Sequence, residues 1–133
     1  MKPAHPVSEL GPTVLAVDDD LAVLRVLEAH LTRANYVVKT ASNGAEALNI
    51  LRVLTPAVLI LDVMMPDISG YDLCHLVKRE DKLKNIPVIF LTARGAPKDF
   101  KKGHELGAVI YMVKPFKPER LVHIVQLVSP VPA

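Results

Sequence analysis

Val58-Leu59-Ile60-Leu61-Asp62 is an unbroken apolar run that stops at a carboxylate. A strand covered on both faces reads as continuous Val, Ile and Leu, so the run predicts a central strand of a parallel sheet. Three other runs end in the same way: Thr13 to Val17 at Asp18-Asp19-Asp20, Val88 to Leu91 at Thr92, and Tyr111 to Val113 at Lys114. Ligands of an open α/β sheet bind beyond the carboxyl ends of its strands. Carboxylates, a hydroxyl and an ammonium are therefore expected to meet at one edge.

Helical patterns fill the gaps between these runs. Leu24, Leu27 and Leu31 recur at helical spacing within Leu21 to Arg33. Tyr36 to Ala41 reads as a second strand, and Asn43 as the cap of a helix whose inner face is Ala47, Leu48, Leu51 and Leu54, stopped by Pro56. Gly70 opens a helix with Leu73, Leu76 and Val77 turned inward. The polar loop Asp81 to Asn85 leads into a fourth strand, Pro87 to Leu91. A helix over about Lys98 to Leu106 is weakened by Gly103 and Gly107 and is expected to be the least rigid. Val109 to Val113 forms the fifth strand, and the last helix sets Leu121, Ile124, Val125 and Val128 on one face.

Fivefold alternation of strand and helix predicts a doubly wound (βα)5 sandwich of flavodoxin-like type, with helices on both faces of a five-stranded parallel sheet. Strand order 2-1-3-4-5 places the first and third strands side by side at the switch point, where Asp18, Asp19 and Asp62 converge.

The length of 133 residues, half of them hydrophobic, suits one domain over 13–128, with a flexible lead over 1–12 and a short tail over 129–133. Sixteen basic and fourteen acidic side chains leave a net charge of +2, which does not favour direct binding of nucleic acid. The single Cys74 has no partner for an internal disulfide, and His5, His30, His75, His104 and His123 lack metal-ligand spacing. A reducing cytoplasm fits this usage. The lead has no apolar core of a signal segment, and no stretch reads as a membrane span.

Clustered carboxylates oppose one another's ionisation unless a cation neutralises them. Carboxylate and carbonyl oxygens suit a hard divalent ion, Mg2+, better than zinc.

In this arrangement the chain resembles the receiver domain of two-component response regulators over about residues 13 to 128. The motifs are the acidic pair Asp18-Asp19, the run Asp62-Val63-Met64-Met65-Pro66 followed by Gly70, Thr92-Ala93, and Gly107-Ala108 leading to Tyr111-Met112-Val113-Lys114-Pro115-Phe116. Each alone is weak, and together in order they are specific. That family has the same strand order, so the topology is not read independently of the resemblance.

The resemblance implies that Asp62 is the phosphoacceptor, a carboxylate nucleophile that forms an aspartyl phosphate. It implies Mg2+ bound by Asp19, Asp62 and the backbone carbonyl of Met64, with Asp18 acting through water. Thr92, Ala93 and Lys114 would contact the phosphoryl group, Lys114-Pro115 would be a cis peptide, and Thr92 and Tyr111 would form the switch. Phosphorylation would then change the surface made by the helix near Lys98 to Leu106, the fifth strand and the last helix. The implied partners are a sensor histidine kinase or phosphotransfer protein and an output domain or downstream protein, while a second copy in a homodimer is left open. The implied role is a signalling switch that catalyses only its own phosphorylation and dephosphorylation.

Simpler readings compete residue by residue. Asp18 to Asp20 alone suit a helix cap, and Asp20 is read as one. Thr92 alone suits a strand end, Lys114 a solvated charge, Tyr111 a half-buried strand aromatic, and Cys74 a small buried hydrophobe. The chain departs from the family at Val109-Ile110, which adds apolar surface, and at Arg94, which leaves phosphate lifetime open. A degenerate receiver acting as a binding module is the alternative. A phosphatase of the haloacid dehalogenase type would need a second Asp where Met64 stands, and three acids after the first strand would repel a flavin phosphate.

Overall fold

The computed structural model describes residues 11–93 and 108–129. The helix expected over about Lys98 to Leu106, Arg94, most of the lead and the end of the tail lie outside the described residues. Five strands, β1 (Thr13–Val17), β2 (Val37–Ala41), β3 (Val58–Asp62), β4 (Val88–Ala93) and β5 (Ala108–Lys114), form one parallel sheet in the order β2-β1-β3-β4-β5. The described helices are α1 (Leu21–Arg33), α2 (Gly44–Val53), α3 (Gly70–Lys78) and α4 (Pro118–Val128). No described helix is long and apolar enough to cross a membrane.

Continuous apolar strands are explained by what lies on each face. Side chains alternate along a strand, so each central strand feeds two cores. Leu15, Val17, Leu59, Leu61 and Phe90 join Ala47 and Leu51 of α2 and Leu73, Cys74 and Val77 of α3. Val14, Ala16, Val58, Ile60, Ile89 and Leu91 join Leu24, Leu27 and Leu31 of α1 and Leu121 and Val125 of α4. Every residue of β1 and β3 is buried, and truncating one such Leu to Ala costs about 2–5 kcal/mol.

Local chemistry fixes the helix starts. Asp20 accepts from Ala22 N–H (2.9 Å) to cap α1. Asn43 accepts from Glu46 N–H (2.8 Å), while Glu46 reaches back to Ser42 N–H (2.6 Å), a reciprocal pair that satisfies two backbone donors. Ser69 accepts from Asp72 N–H to cap α3, and Pro118 opens α4, where its missing N–H is no loss.

Several expectations are corrected. Leu76 lies on the flank of α3 and is 39% exposed, so only Leu73 and Val77 of the expected trio face the core. Leu54 has left the helix as the extended C-cap of α2. The β2 strand begins at Val37, since Tyr36 N–H bonds Leu31 C=O and still closes α1. The β4 and β5 strands run further than their apolar cores, so Thr92 and Lys114 are the last or nearly last rungs of the sheet rather than residues beyond it. One extra residue in β5, where Val88 pairs with Ala108 but Ile89 with Ile110, sets Tyr111 opposite Phe90 and Val113 opposite Thr92.

Candidate phosphoacceptor site

Two neighbouring strands deliver the acids. Val17 pairs with Leu61, so the residues that follow, Asp18 and Asp62, leave β1 and β3 at the same height. Asp18 is fully buried and Asp62 is 4% exposed, whereas Asp19 faces solvent. One carboxylate oxygen from each of the three lies within 4.8 Å of the others.

The cluster is organised around one ammonium. Lys114 Nζ lies 2.6 Å from Asp18 Oδ2 and 3.5 Å from Asp62 Oδ1. The other Asp18 oxygen accepts from Asp20 N–H at 2.9 Å, which locks that carboxylate at the start of α1. Asp62 Oδ1 also accepts a long bond from Met64 N–H at 3.4 Å. The Lys114–Pro115 peptide is cis.

Charge is the tension in this site. Burial, and then the neighbouring Asp18 carboxylate, push Asp62 up to about 7; a contact with Asp19 adds to the rise and Lys114 opposes it. Burial works against the Lys114 charge as well, but Asp18 and Asp62 together outweigh it and hold that ammonium above its ordinary pKa. Three acids against one base leave a deficit that suits a divalent cation with oxygen ligands. The donor set fits Mg2+ for that reason. Met64 carries a soft thioether, so only its backbone carbonyl is a donor of the kind such an ion takes.

Thr92 supplies an independent sign of a ligand. Its Oγ1 is buried with no hydrogen-bond partner among the described residues, a condition that costs about 1–3 kcal/mol. An anionic oxygen arriving at the site would satisfy it. Ala93, exposed at the end of β4 and paired with Lys114, lines with Val23, Val26 and Phe116 an apolar cavity of about 390 Å³ next to the acids.

Tyr111 lies on the same side of the sheet as Phe90. Its ring centroid is 5.4 Å from that of Phe90 and 6.4 Å from that of Tyr71, and its hydroxyl donates to the Tyr71 hydroxyl at 3.0 Å. Sequence reasoning missed Tyr71, whose only local sign was an aromatic in the first turn of α3. It also missed Asp67, which accepts from backbone N–H groups of α2 across more than twenty residues.

Comparisons with known proteins point to one family. A family model described as the response regulator receiver domain matches residues 14–126. The probable transcriptional regulator ycf27 of Porphyra purpurea is 46% identical over 108 residues, which are 81% of this chain and 43% of that protein. Its counterpart in Guillardia theta is 44% identical over 113 residues, 85% of this chain and 43% of the relative. The chain thus spans less than half the length of these curated relatives. Among solved structures, a putative response regulator from Chloroflexus aurantiacus J-10-fl superposes with a TM-score of 0.79 at 42% identity, covering 88% of this chain and 96% of that one. The chemotaxis protein CheY4 of Vibrio cholerae gives 0.82 at 35% identity, covering 88% and 98%.

Proposed function

Because the chain belongs to the response regulator receiver domain family of two-component systems, we propose that Asp62 accepts a phosphoryl group from a histidine kinase or phosphotransfer protein. The observation that carries this reading is the convergence of Asp18, Asp19 and Asp62, with the Lys114 ammonium against Asp18 and Asp62, beside a Thr92 hydroxyl that has no partner among the described residues.

An ionised Asp62 oxygen attacks phosphorus in line, its bond to the donor nitrogen breaks, and the donor imidazole leaves with the electron pair. Such a transfer demands positioning and stabilisation of the equatorial oxygens more than covalent help. Lys114 holds Asp62 toward its carboxylate form and offers a positive charge to one oxygen. Thr92 donates its hydroxyl to another, with Ala93 beside it. Asp19, Asp62 and the Met64 carbonyl, with Asp18 through water, would hold Mg2+, which would neutralise the acids against the incoming anion.

Readout follows from the differences between two states. Thr92 and Tyr111 lie on one face of the sheet, so recruiting the Thr92 hydroxyl frees space toward which Tyr111 turns. The affected surface comprises β5, α4 and the helix expected near Lys98 to Leu106, and its occupant is an output domain, a downstream protein or a second copy. The ycf27 relatives are named probable transcriptional regulators. An output in gene regulation is accordingly part of this proposal, exerted through another unit because the chain's charge does not favour nucleic acid. Retention of all five site residues argues against a receiver that only binds.

Incubation with a small acyl phosphate tests the reading. One phosphoryl group should be incorporated in the presence of Mg2+ and none after chelation. Incorporation that ignores chelation would contradict it.

A further inference from the structure

We propose that Asp67 is a positioning residue that ties the loop carrying the Asp62 site to the N-terminus of α2, and so sets the affinity of that loop for Mg2+. The inference rests on the Mg2+ site proposed above.

The loop between β3 and α3 runs from Val63 to Ser69, and it contains Met64, whose carbonyl is assigned to the ion. Its base is held by Gly70, whose N–H donates to Val63 C=O at 2.8 Å. A Cβ at Gly70 would come within 2.3 Å of Asp62 C=O, so only glycine lets the helix start this close to the phosphoacceptor. Near Asp62 itself, the Met64 N–H bond of 3.4 Å is a weak restraint.

Farther along, Asp67 spans to another element. One of its carboxylate oxygens accepts from Gly44 N–H at 3.1 Å and the other from Ala45 N–H at 3.0 Å. These are the first two donors of α2, and a carboxylate there is favoured by the helix dipole. The bond from Gly44 keeps Asp67 below its ordinary pKa, and the bond from Ala45 adds to that against the opposing effect of burial, so the charge is present at neutral pH. The approach depends on Gly44, since a Cβ there would come within 2.0 Å of Ile68 Cγ2. Ile68 and Met65 both pack against the core shared with α2 and α3.

The α2 helix does not depend on Asp67 for a cap, because Asn43 already accepts from Glu46 N–H and Glu46 from Ser42 N–H. Asp67 serves different donors and comes from a different element. Its distinctive consequence is to fix the loop, and Met64 with it, against the rigid start of α2.

The two acceptors at one helix end give the test. Mg2+ binding to the whole chain is titrated calorimetrically for the parent, Asp67→Ala, Asp67→Asn and Asn43→Ala, with thermal melts of each. Both Ala variants lower the melting temperature, as loss of a helix-end acceptor does. Asp67→Ala weakens Mg2+ binding about tenfold, the low end of what losing an outer support costs a metal site. Asn43→Ala leaves the affinity unchanged, and Asp67→Asn, which keeps one neutral acceptor, falls between parent and Asp67→Ala. Equal affinity in parent and Asp67→Ala overturns the tether and leaves the site reading standing, as does an equal loss in Asn43→Ala. A parent chain that takes up no Mg2+ overturns the site reading, and the tether with it.

Discussion

The Lys114 ammonium is nearer to Asp18 than to Asp62, at 2.6 Å against 3.5 Å. The base at the end of β5 is thus engaged first with the buried acid after β1, and only at longer range with the carboxylate proposed to react. That dual position ties the two acids of the cluster to one cation.

Removing that ammonium should separate chemistry from readout. Lys114→Ala is expected to accept phosphate at Asp62 in Mg2+ but to lose most of the rearrangement around Tyr111. NMR with beryllofluoride, which stands in for the phosphoryl group, checks this from the amides of about Lys98 to Phe116. Parent-like shifts in the variant would show that Lys114 does not couple the site to that surface. The same variant leaves Asp18 buried without its cation and should cost on the order of 2 kcal/mol. That is less than for a fully buried pair, because 22% of the Lys114 side chain is in solvent.

Asp62 should make the chain less stable as pH rises when divalent ions are chelated. Its folded pKa is raised from 3.8 to about 7, first by burial, so the folded chain holds the proton through a range in which the unfolded chain releases it. Stability therefore falls between about pH 4 and pH 7 and then levels. Asp62→Asn removes this effect. The variant should exceed the parent in urea melts above pH 7 by more than about 1 kcal/mol, the worth of one pKa unit, and the gap should close toward pH 4.

Thr92→Val offers the opposite kind of change. The substitution keeps the shape and deletes a hydroxyl that has no partner among the described residues, so stability should stay level or rise by up to about 1 kcal/mol. The beryllofluoride response at Tyr111 should shrink. A loss of several kcal/mol in denaturant melts would mean that the hydroxyl already has a partner in the resting chain.

Asp19→Asn should weaken Mg2+ binding in calorimetric titration while leaving folding within about 0.5 kcal/mol, because Asp19 is exposed. An unchanged affinity would remove Asp19 from the metal site.

What the sequence discloses is set by how far each feature reaches. The central strands are legible because they are covered on both faces and cannot alternate. Asp20 and Asn43 are legible as caps because their acceptors serve donors two and three residues away. Leu76 misleads because helical spacing marks a broad stripe, and its flank looks out between α2 and α3. Contacts fixed only by tertiary approach stay hidden: Asp67 on α2, Tyr111 on Tyr71, and the preference of Lys114 for Asp18. The acids, Thr92 and Lys114 could be gathered at one edge from strand order alone. Which atom meets which required the side chains.

The identity of the acceptor is the claim on which the rest depends. Parent chain and Asp62→Asn, each incubated with a small acyl phosphate and Mg2+, are digested and read by mass spectrometry. The account predicts one phosphoryl group in the parent, on the peptide containing Asp62, and none in Asp62→Asn. Full incorporation in Asp62→Asn would contradict it.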